Sequence, residues 1–444
     1  MPAVRKDINA LTDAELDDYI YALDILRQRS EVNEGDPTGY VFQAALHNGF
    51  VGPDGVVIKC EHNSDRFLPW HRAHLYYFEK LLQEADPPRT QNVTIPYWDW
   101  ISEQTPEKFP PAFKKPGLKV PRSSAAALLP PDTLEIVTTE TDQKEFAGYP
   151  VGDLSGDDGR LEGGPHNRMH GFYIGGVMAN PSRAAEDPIY FSFHTFIDLM
   201  WAEWQRRNGM PALTSPDEVL LGFASQPKNT ISAFTDIADL DYAYEYTEQL
   251  KTAFGVPPSP VPPVPLKLMA TELLSSLDAN VDIVTELRDK EVVQLGFKVP
   301  ETKGRRLRVR LDELKLPITG SYMLRAFLHP SDVPFQPDDG EFARRFGAGY
   351  VALWRSHQHL HGGDNGHDGH DGHNGHNGHD DHHHVSRTAR FDVAPVLDSL
   401  GANDGDLVFT LQFVPAPSAT GLPPHPLPPI DEVDFAGVRM EVYS

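Results

Sequence analysis

The sequence predicts a multidomain chain, an α-helical domain followed by an all-β domain, and three observations carry that expectation. Apolar residues recur at helical spacing in segments before residue 210. A proline-rich stretch, PPSPVPPVPL at 257–266, then interrupts any regular element. Beyond it the pattern changes to short β-rich runs separated by turn residues, as in a β-sandwich or barrel.

Residues 12–30 predict the first helix, because Thr12 and Glu15 have capping-box spacing and Leu16, Tyr19, Ile20, Leu23 and Leu26 recur along one face. A second helix is expected over 37–48, with Pro37 near its start, Asn48-Gly49 as its stop and His47 in its last turn. A loop carrying Cys60 and His62 follows. Pro69 then introduces a helical stretch to about Gln83, opened by His71 and packed through Leu75, Phe78, Leu81 and Leu82. Residues 101–160, rich in Pro, Gly, Ser and Asp, read as long surface loops. A helix near Pro165 carries His166 and His170. Another begins near Pro188, runs through IYFSFHTFIDLMWAEWQRR with His194, and stops at Asn208-Gly209. Residues 1–256 thus form the expected helical domain, 257–266 the linker and 267–444 the β domain. Its expected strands are VDIVTEL, VVQLGFKV, RLRVRL, YMLRAFL, YVALWR, RFDVAP, LVFTLQFV and VRMEVY. Between two of these, residues 357–384 repeat Gly-His-Asp/Asn, which cannot bury a core and predicts a disordered insertion.

Composition narrows the function. The 444 residues allow two or three domains at about 150 residues each. A net charge of −25, from 39 basic and 64 acidic residues, repels phosphate backbones and anionic lipid, so neither nucleic acid nor membrane is an expected partner. The single cysteine, Cys60, cannot form an internal disulfide, and no apolar run approaches the ~20 residues of a membrane span. The opening residues carry charges where a secretory leader is apolar, which predicts a soluble and, by default, cytoplasmic protein.

Histidine placement is more specific. Of 20 histidines, 11 lie between His357 and His384, and seven of the remaining nine fall in two aromatic-rich blocks before residue 200. His166 and His170, four apart on a helix, project from one face, and His194 on the next helix supplies a third imidazole. His47, His62 and His71 offer a second trio. Carboxylate-bridged iron or manganese pairs need Glu-x-x-His motifs, which are missing here. All-imidazole ligation favours copper or zinc, and the Irving–Williams order tips the choice to two copper ions. His74 lies one turn beyond His71 and reads as a supporting or surface residue, and His329 and His425 have no partners at metal spacing.

RFLPWHRAHLYYFEKLL with TIPYWDW resembles the first copper block of tyrosinases and catechol oxidases, and GPHNRMHGFYIGGVMANPSRAAEDPIYFSFHTFIDLMWAEWQ resembles the second. DYAYEY resembles the tyrosine pair, here Tyr242 and Tyr244, that closes such domains near an early arginine, here Arg5. The resemblance is to the type 3 copper family and implies a helical-bundle dicopper domain. By it, His47, His62 and His71 bind one copper, and His166, His170 and His194 bind the other.

The resemblance implies more. Cys60 stands at the spacing where fungal and molluscan relatives join cysteine sulfur to a histidine ring, predicting a Cys60–His62 thioether, with an ordinary buried thiol as the alternative. Glu162 and Asn167 match positions that hold a water beside the second copper, able to take a phenol proton; the alternative is a loop charge and a helix-start polar residue. Asp198 orients a histidine or binds a basic residue. Phe193 replaces a histidine common in relatives, which alters the polarity near the second copper, and the gate residue falls around Asn180–Arg183. The C-terminal half, through GEFARRF, TARFDVAPVLDSLGANDGDLVFTLQFVP and VDFAGVRMEVY, resembles the plant polyphenol oxidase domain that covers the site and keeps the enzyme latent. The expected activity is copper-dependent oxidation of o-diphenols, with O2 as co-substrate, and possible o-hydroxylation of monophenols. A haemocyanin-type O2 carrier and an o-aminophenol oxidase are the alternatives. The histidine-rich tract offers many neutral imidazoles able to collect copper weakly.

Overall fold

The computed structural model describes residues 3–48, 50–51, 57–58, 60–102, 109–122, 129–130, 132–151, 153, 158–180, 183–212, 214–255, 273–278, 286–289, 292–297, 306–317, 322–353, 384–400, 407–415 and 433–443. The expected linker, most of the histidine-rich tract, His425 and positions 181–182 of the expected gate lie outside them.

Four long helical segments build the first part. Helix α1 (Asp13–Val32) starts at the predicted capping box: Thr12 accepts from the Glu15 amide, and the Glu15 carboxylate accepts from the Thr12 amide. Helix α2 (Tyr40–Asn48) ends on His47, and α3 (Phe67–Gln83) starts two residues before Pro69, which lacks an amide hydrogen where none is needed. Helix α4 (Ile189–Asn208) is buried along most of its length and stacks Phe191 on Phe78 of α3, ring centroids 3.6 Å apart. A further segment, predicted as one ordinary helix near Pro165, is widened into π-helical turns over Glu162–His166 and Met169–Ile174. Pro165 interrupts the regular hydrogen-bond ladder there, and the wider turn accommodates the break.

Residues 101–160 are not surface loops where they are described. Short helices at Thr133–Thr139 and Gln143–Ala147 bury Ile136, Val137 and Phe146, and Phe146 stacks on Trp204 of α4 at 4.8 Å. Elements of five to seven residues are too short to show helical periodicity, so their burial was not readable from spacing.

A buried ionic brace ties the chain's start to α3 and α4. Strand β1 (Ala3–Arg5) pairs in parallel with β2 (Tyr242–Tyr244). Arg5 reaches Glu79 at 2.9 Å and Asp198 at 3.4 Å, and lies over the Tyr242 ring at 3.7 Å. Arg72 holds Asp198 at 2.5 Å, and the Tyr242 and Tyr244 hydroxyls donate to the same carboxylate at 2.6 and 2.5 Å. Asp198 therefore binds basic residues rather than orienting a histidine.

The C-terminal half holds nine strands in its described residues, one more than expected: β3 (Leu273–Asp278), β4 (Glu286–Asp289), β5 (Val292–Phe297), β6 (Arg306–Pro317), β7 (Tyr322–Pro330), β8 (Gly347–Leu353), β9 (His384–Asp392), β10 (Leu407–Pro415) and β11 (Gly437–Tyr443). Strand β3, with the weakly alternating LLSSLD, is the one not anticipated. One antiparallel sheet has the order β8-β7-β10-β5-β4 and the other β9-β6-β11-β3. Both sheets feed one apolar cluster that includes Leu295, Phe327 and Leu411 from the first and Leu311, Phe391 and Met440 from the second. A short helix, α5 (Gly340–Phe346), leads straight into β8. Strands β8 and β9, one edge from each sheet, pack on the π-helical segment, and a further tie joins Arg308 of β6 to Glu145 at 3.1 Å. Among the described residues no helix is long and apolar enough to cross a membrane.

Burial pushes the Asp198 carboxyl up, but Arg72 and Arg5, helped by the two tyrosine hydroxyls, outweigh it and hold the group below the usual carboxylate range. Its stabilisation is therefore complete above that range and drains away as pH falls through the lowered value. Asp198→Asn should lower stability at neutral pH by about 3–5 kcal/mol, since Arg5 and Arg72 lose a buried partner, and should flatten the acid limb of a Tm-against-pH curve. A Tm profile superimposable on the parent's would show the brace to be energetically idle.

Candidate metal centre

Six imidazoles from four helical segments and a loop converge in the core of the helical part. His47 closes α2, His62 sits in the following loop and His71 lies in the second turn of α3; one ring nitrogen from each lies within 4.8 Å of the others. His166 and His170, four apart on the π-helical segment, meet His194 of α4 within the same limit. The two trios adjoin. His71 and His194 stack with centroids 4.4 Å apart and planes 9° apart, and His62 and His166 lie 5.5 Å apart. All but the half-buried His62 are buried.

The protein fixes which nitrogen three of the rings offer. Nδ1–H of His71 donates to the Phe67 carbonyl at 2.8 Å, that of His166 to Asn167 Oδ1 at 2.9 Å, and that of His170 to the Met178 carbonyl at 2.9 Å. Each bond selects the tautomer that leaves Nε2 as a lone pair directed at the centre. Nε2 of His71 and His166, both ring nitrogens of His47 and Nδ1 of His194 are buried without a protein hydrogen-bond partner among the described residues. Nε2 of His170 and Nε2 of His194 face each other at 3.1 Å. Burial first, and then the neighbouring rings, hold His47, His71, His166 and His194 far below the usual histidine range, and burial pushes His170 down to about 3. Buried rings whose free nitrogens, outside the His170–His194 pair, meet no protein donor among the described residues fit metal cations, and nitrogen-only donors suit copper.

The surroundings are apolar. Phe67 packs on His71 and His166 at 4.6 and 4.7 Å, and Tyr190 on His194 and His47 at 4.3 and 4.7 Å. Phe193 stands edge-on to His170 at 4.9 Å and is backed by Trp100 at 5.2 Å, so the position where relatives carry a histidine is a hydrophobic wall. Phe67 and Tyr190 were not singled out from sequence, since a ligand-facing aromatic and a core aromatic look alike at helical spacing.

The remaining expected residues divide. Glu162 Oε1 lies 2.8 Å from Nδ1 of His62, and the carboxylate accepts from the Asn63 amide at 2.9 Å, so its contact is with the first trio. Burial pushes the Glu162 carboxyl up to about 8 against the pull of that amide. Asn167 supports His166 and donates to the Tyr350 carbonyl of β8 at 2.9 Å. Cys60 is buried. His74 is no surface residue: it is fully buried, donates to the Gln43 carbonyl at 3.0 Å and lies 3.3 Å from the Tyr190 hydroxyl, joining α2 to α4 outside the metal cluster. His329 is buried in β7, bonded to the Pro330 carbonyl and to Thr410.

A family model described as the common central domain of tyrosinase matches residues 37–151 and 125–207, the span that carries all six histidines. Tyrosinase of Streptomyces lincolnensis is 31% identical over 244 residues, 45% of this chain and 85% of that protein. The chloroplastic polyphenol oxidase of Malus domestica is 25% identical over 80% of this chain and 69% of its own. The match to tyrosinase HcTyr1 of Hahella sp., 27% identical over 46% of this chain, spans about half of that protein, 54%. Among solved structures, latent apple tyrosinase superposes with a TM-score of 0.52 at 19% identity, over 100% of this chain and 97% of that one. A functional unit of octopus hemocyanin gives 0.55 at 15% identity, over 99% of both. The chain belongs to the tyrosinase family of type 3 copper oxidoreductases, whose cofactor is a pair of copper ions that the two histidine trios are able to hold.

Substitution separates ligands from neighbours. His71→Gln should reduce bound copper from two equivalents per chain to about one, whereas His74→Gln, one turn further along α3, should leave copper content unchanged and cost stability alone. Copper quantification on purified folded protein checks both, and loss of metal in the His74 variant would redraw the site.

Proposed function

We propose that the chain is a polyphenol oxidase, in which residues 1–256 form the dicopper catalytic domain and 267–444, beyond a linker at 257–266, a sandwich-like domain that shields it. The single observation that carries this reading is the pair of adjacent three-histidine clusters, three of whose rings have their tautomer fixed by the protein, lying under strand β8. His47, His62 and His71 are the proposed ligands of one copper, and His166, His170 and His194 of the other. A copper pair bound there supplies two-electron oxidation of o-diphenols to o-quinones by O2, and ortho oxygen insertion for monophenols.

The chain's own contribution is orientation and exclusion. Backbone carbonyls and Asn167 hold three of the rings in place, and Phe67, Phe193 and Tyr190 give the centre an apolar surround. Glu162 and Asn167 are the proposed holders of a water that takes the phenol proton; the raised carboxyl is matched to proton exchange near neutrality. Strand β8 covers this face: the Tyr350 carbonyl takes the Asn167 amide, Tyr350 is buried, and a side chain on Gly171 would touch its ring. That cover supports a latent full-length form, as the solved apple relative is described.

A reversible O2 carrier is the second reading, favoured by the shared fold of the octopus hemocyanin unit. Copper-loaded full-length protein mixed with 4-methylcatechol should form quinone slowly, and limited proteolysis in the β domain should raise the rate by about tenfold or more, equivalent to about 1.4 kcal/mol of shielding. O2 uptake that reverses under vacuum without quinone formation would establish the carrier instead. A substrate panel including o-aminophenols separates the remaining oxidase reading.

We also propose the Cys60–His62 thioether. Forming it is a two-electron oxidation, with O2 at the copper pair as oxidant, that removes one hydrogen from the thiol and one from the ring, so copper-matured protein should be lighter by two hydrogens than protein expressed without copper. Full alkylation of Cys60 in the denatured matured protein would eliminate the bond.

A further inference from the structure

The helix turn that carries two of the six histidines also carries the grip of the shielding domain. Residues two apart on a helix lie about 200° apart around its axis, so the run His166, Arg168, His170, Phe172 alternates between opposite faces. The imidazoles point to the metal cluster. Arg168 and Phe172 point the other way, into the β domain.

Both converge on Gly347, the first residue of β8. Arg168 Nη1 donates to the Gly347 carbonyl at 2.8 Å. The Phe172 ring belongs to the apolar core of the β sheets rather than to the helical core, lies 6.0 Å from Phe327 at 70°, and sits beneath the Arg325 guanidinium. Gly347 pairs directly with Phe327 across the β8–β7 ladder, and a Cβ built on it would strike the Phe172 ring. The backbone there is ordinary extended chain, φ −67°, so glycine is needed for space alone. A glycine on an edge strand leaves a hole beside its cross-strand neighbour, and an aromatic ring laid over it restores the packing. Here that ring comes from the other half of the chain.

We propose that Phe172 and Arg168, seated on Gly347, are the latch that holds the β domain over the metal centre. Domain contacts elsewhere include the largely buried Arg308–Glu145 ion pair and Arg390 over the Tyr149 ring at 5.3 Å. An aromatic ring buried in a partner's core is where binding energy concentrates. The latch rests on the shielding reading given above and names the contact that enforces it. The Phe172 ring shares the Met169–Ile174 segment with His170.

Phe172→Ala tests the idea from one side and Gly347→Ala from the other. Two readouts are needed on the full-length chain: the rate with 4-methylcatechol after copper loading, and amide hydrogen exchange of residues 347–353 in metal-free protein. Phe172→Ala should speed both by about tenfold or more, while exchange in α4 stays slow and the rate after limited proteolysis equals that of clipped parent protein. Gly347→Ala should do the same by filling the socket. Unchanged exchange at 347–353 in Phe172→Ala would overturn the latch. If clipping fails to activate the parent protein, the shielding reading falls, and the exchange data still decide whether Phe172 holds the domain.

Discussion

Everything in the helical part is organised around bringing six imidazoles together in a largely apolar core. That arrangement is costly for a protein alone, because buried nitrogen acceptors without donors forfeit their hydration. Most of the surrounding structure offsets or enforces it. Carbonyls at Phe67 and Met178 fix tautomers, aromatic rings exclude water, and the Arg5–Asp198–Arg72 brace locks α3 and α4 at the separation that lets His71 and His194 stack. A bound cation supplies what the polypeptide withholds, so metal binding and folding stability are linked.

How legible this was depends on the range of the interaction. The capping box of α1, the i, i+4 pair His166 and His170, and the change of periodicity past residue 257 are local signals and were readable. His47, His62 and His71, spread over a helix end, a loop and another helix, carry no common period; their grouping in one aromatic-rich block suggested the trio and the motif resemblance agreed with it. The widening of the 162–174 segment was not readable. It arises where Pro165 breaks the ladder among glycines, and the register then shifts to keep both imidazoles inward. The burial of Phe146 and Ile136 was missed for a related reason, their helices being too short to reveal a face.

The contacts between the two halves were the least legible part. Phe172 reads as one more aromatic in a helix rich in them, and Gly347 as one more turn glycine; only their meeting across 175 positions gives either a meaning. Asn167 shows the same economy on a smaller scale. Its oxygen steadies a ring at the centre while its amide takes hold of Tyr350, so one side chain serves both the metal site and its cover.

The placement of β8 and β9 has a consequence for the fate of the β domain after it leaves. Each is the outermost strand of its sheet and spends its free side against the segment around His166. Lifted away, both would present bare rows of amides and carbonyls, with the Phe172 socket open beside one of them. Such margins recruit other chains. Were the domain detached, pairing of these edges with another chain would compete with its return to the site.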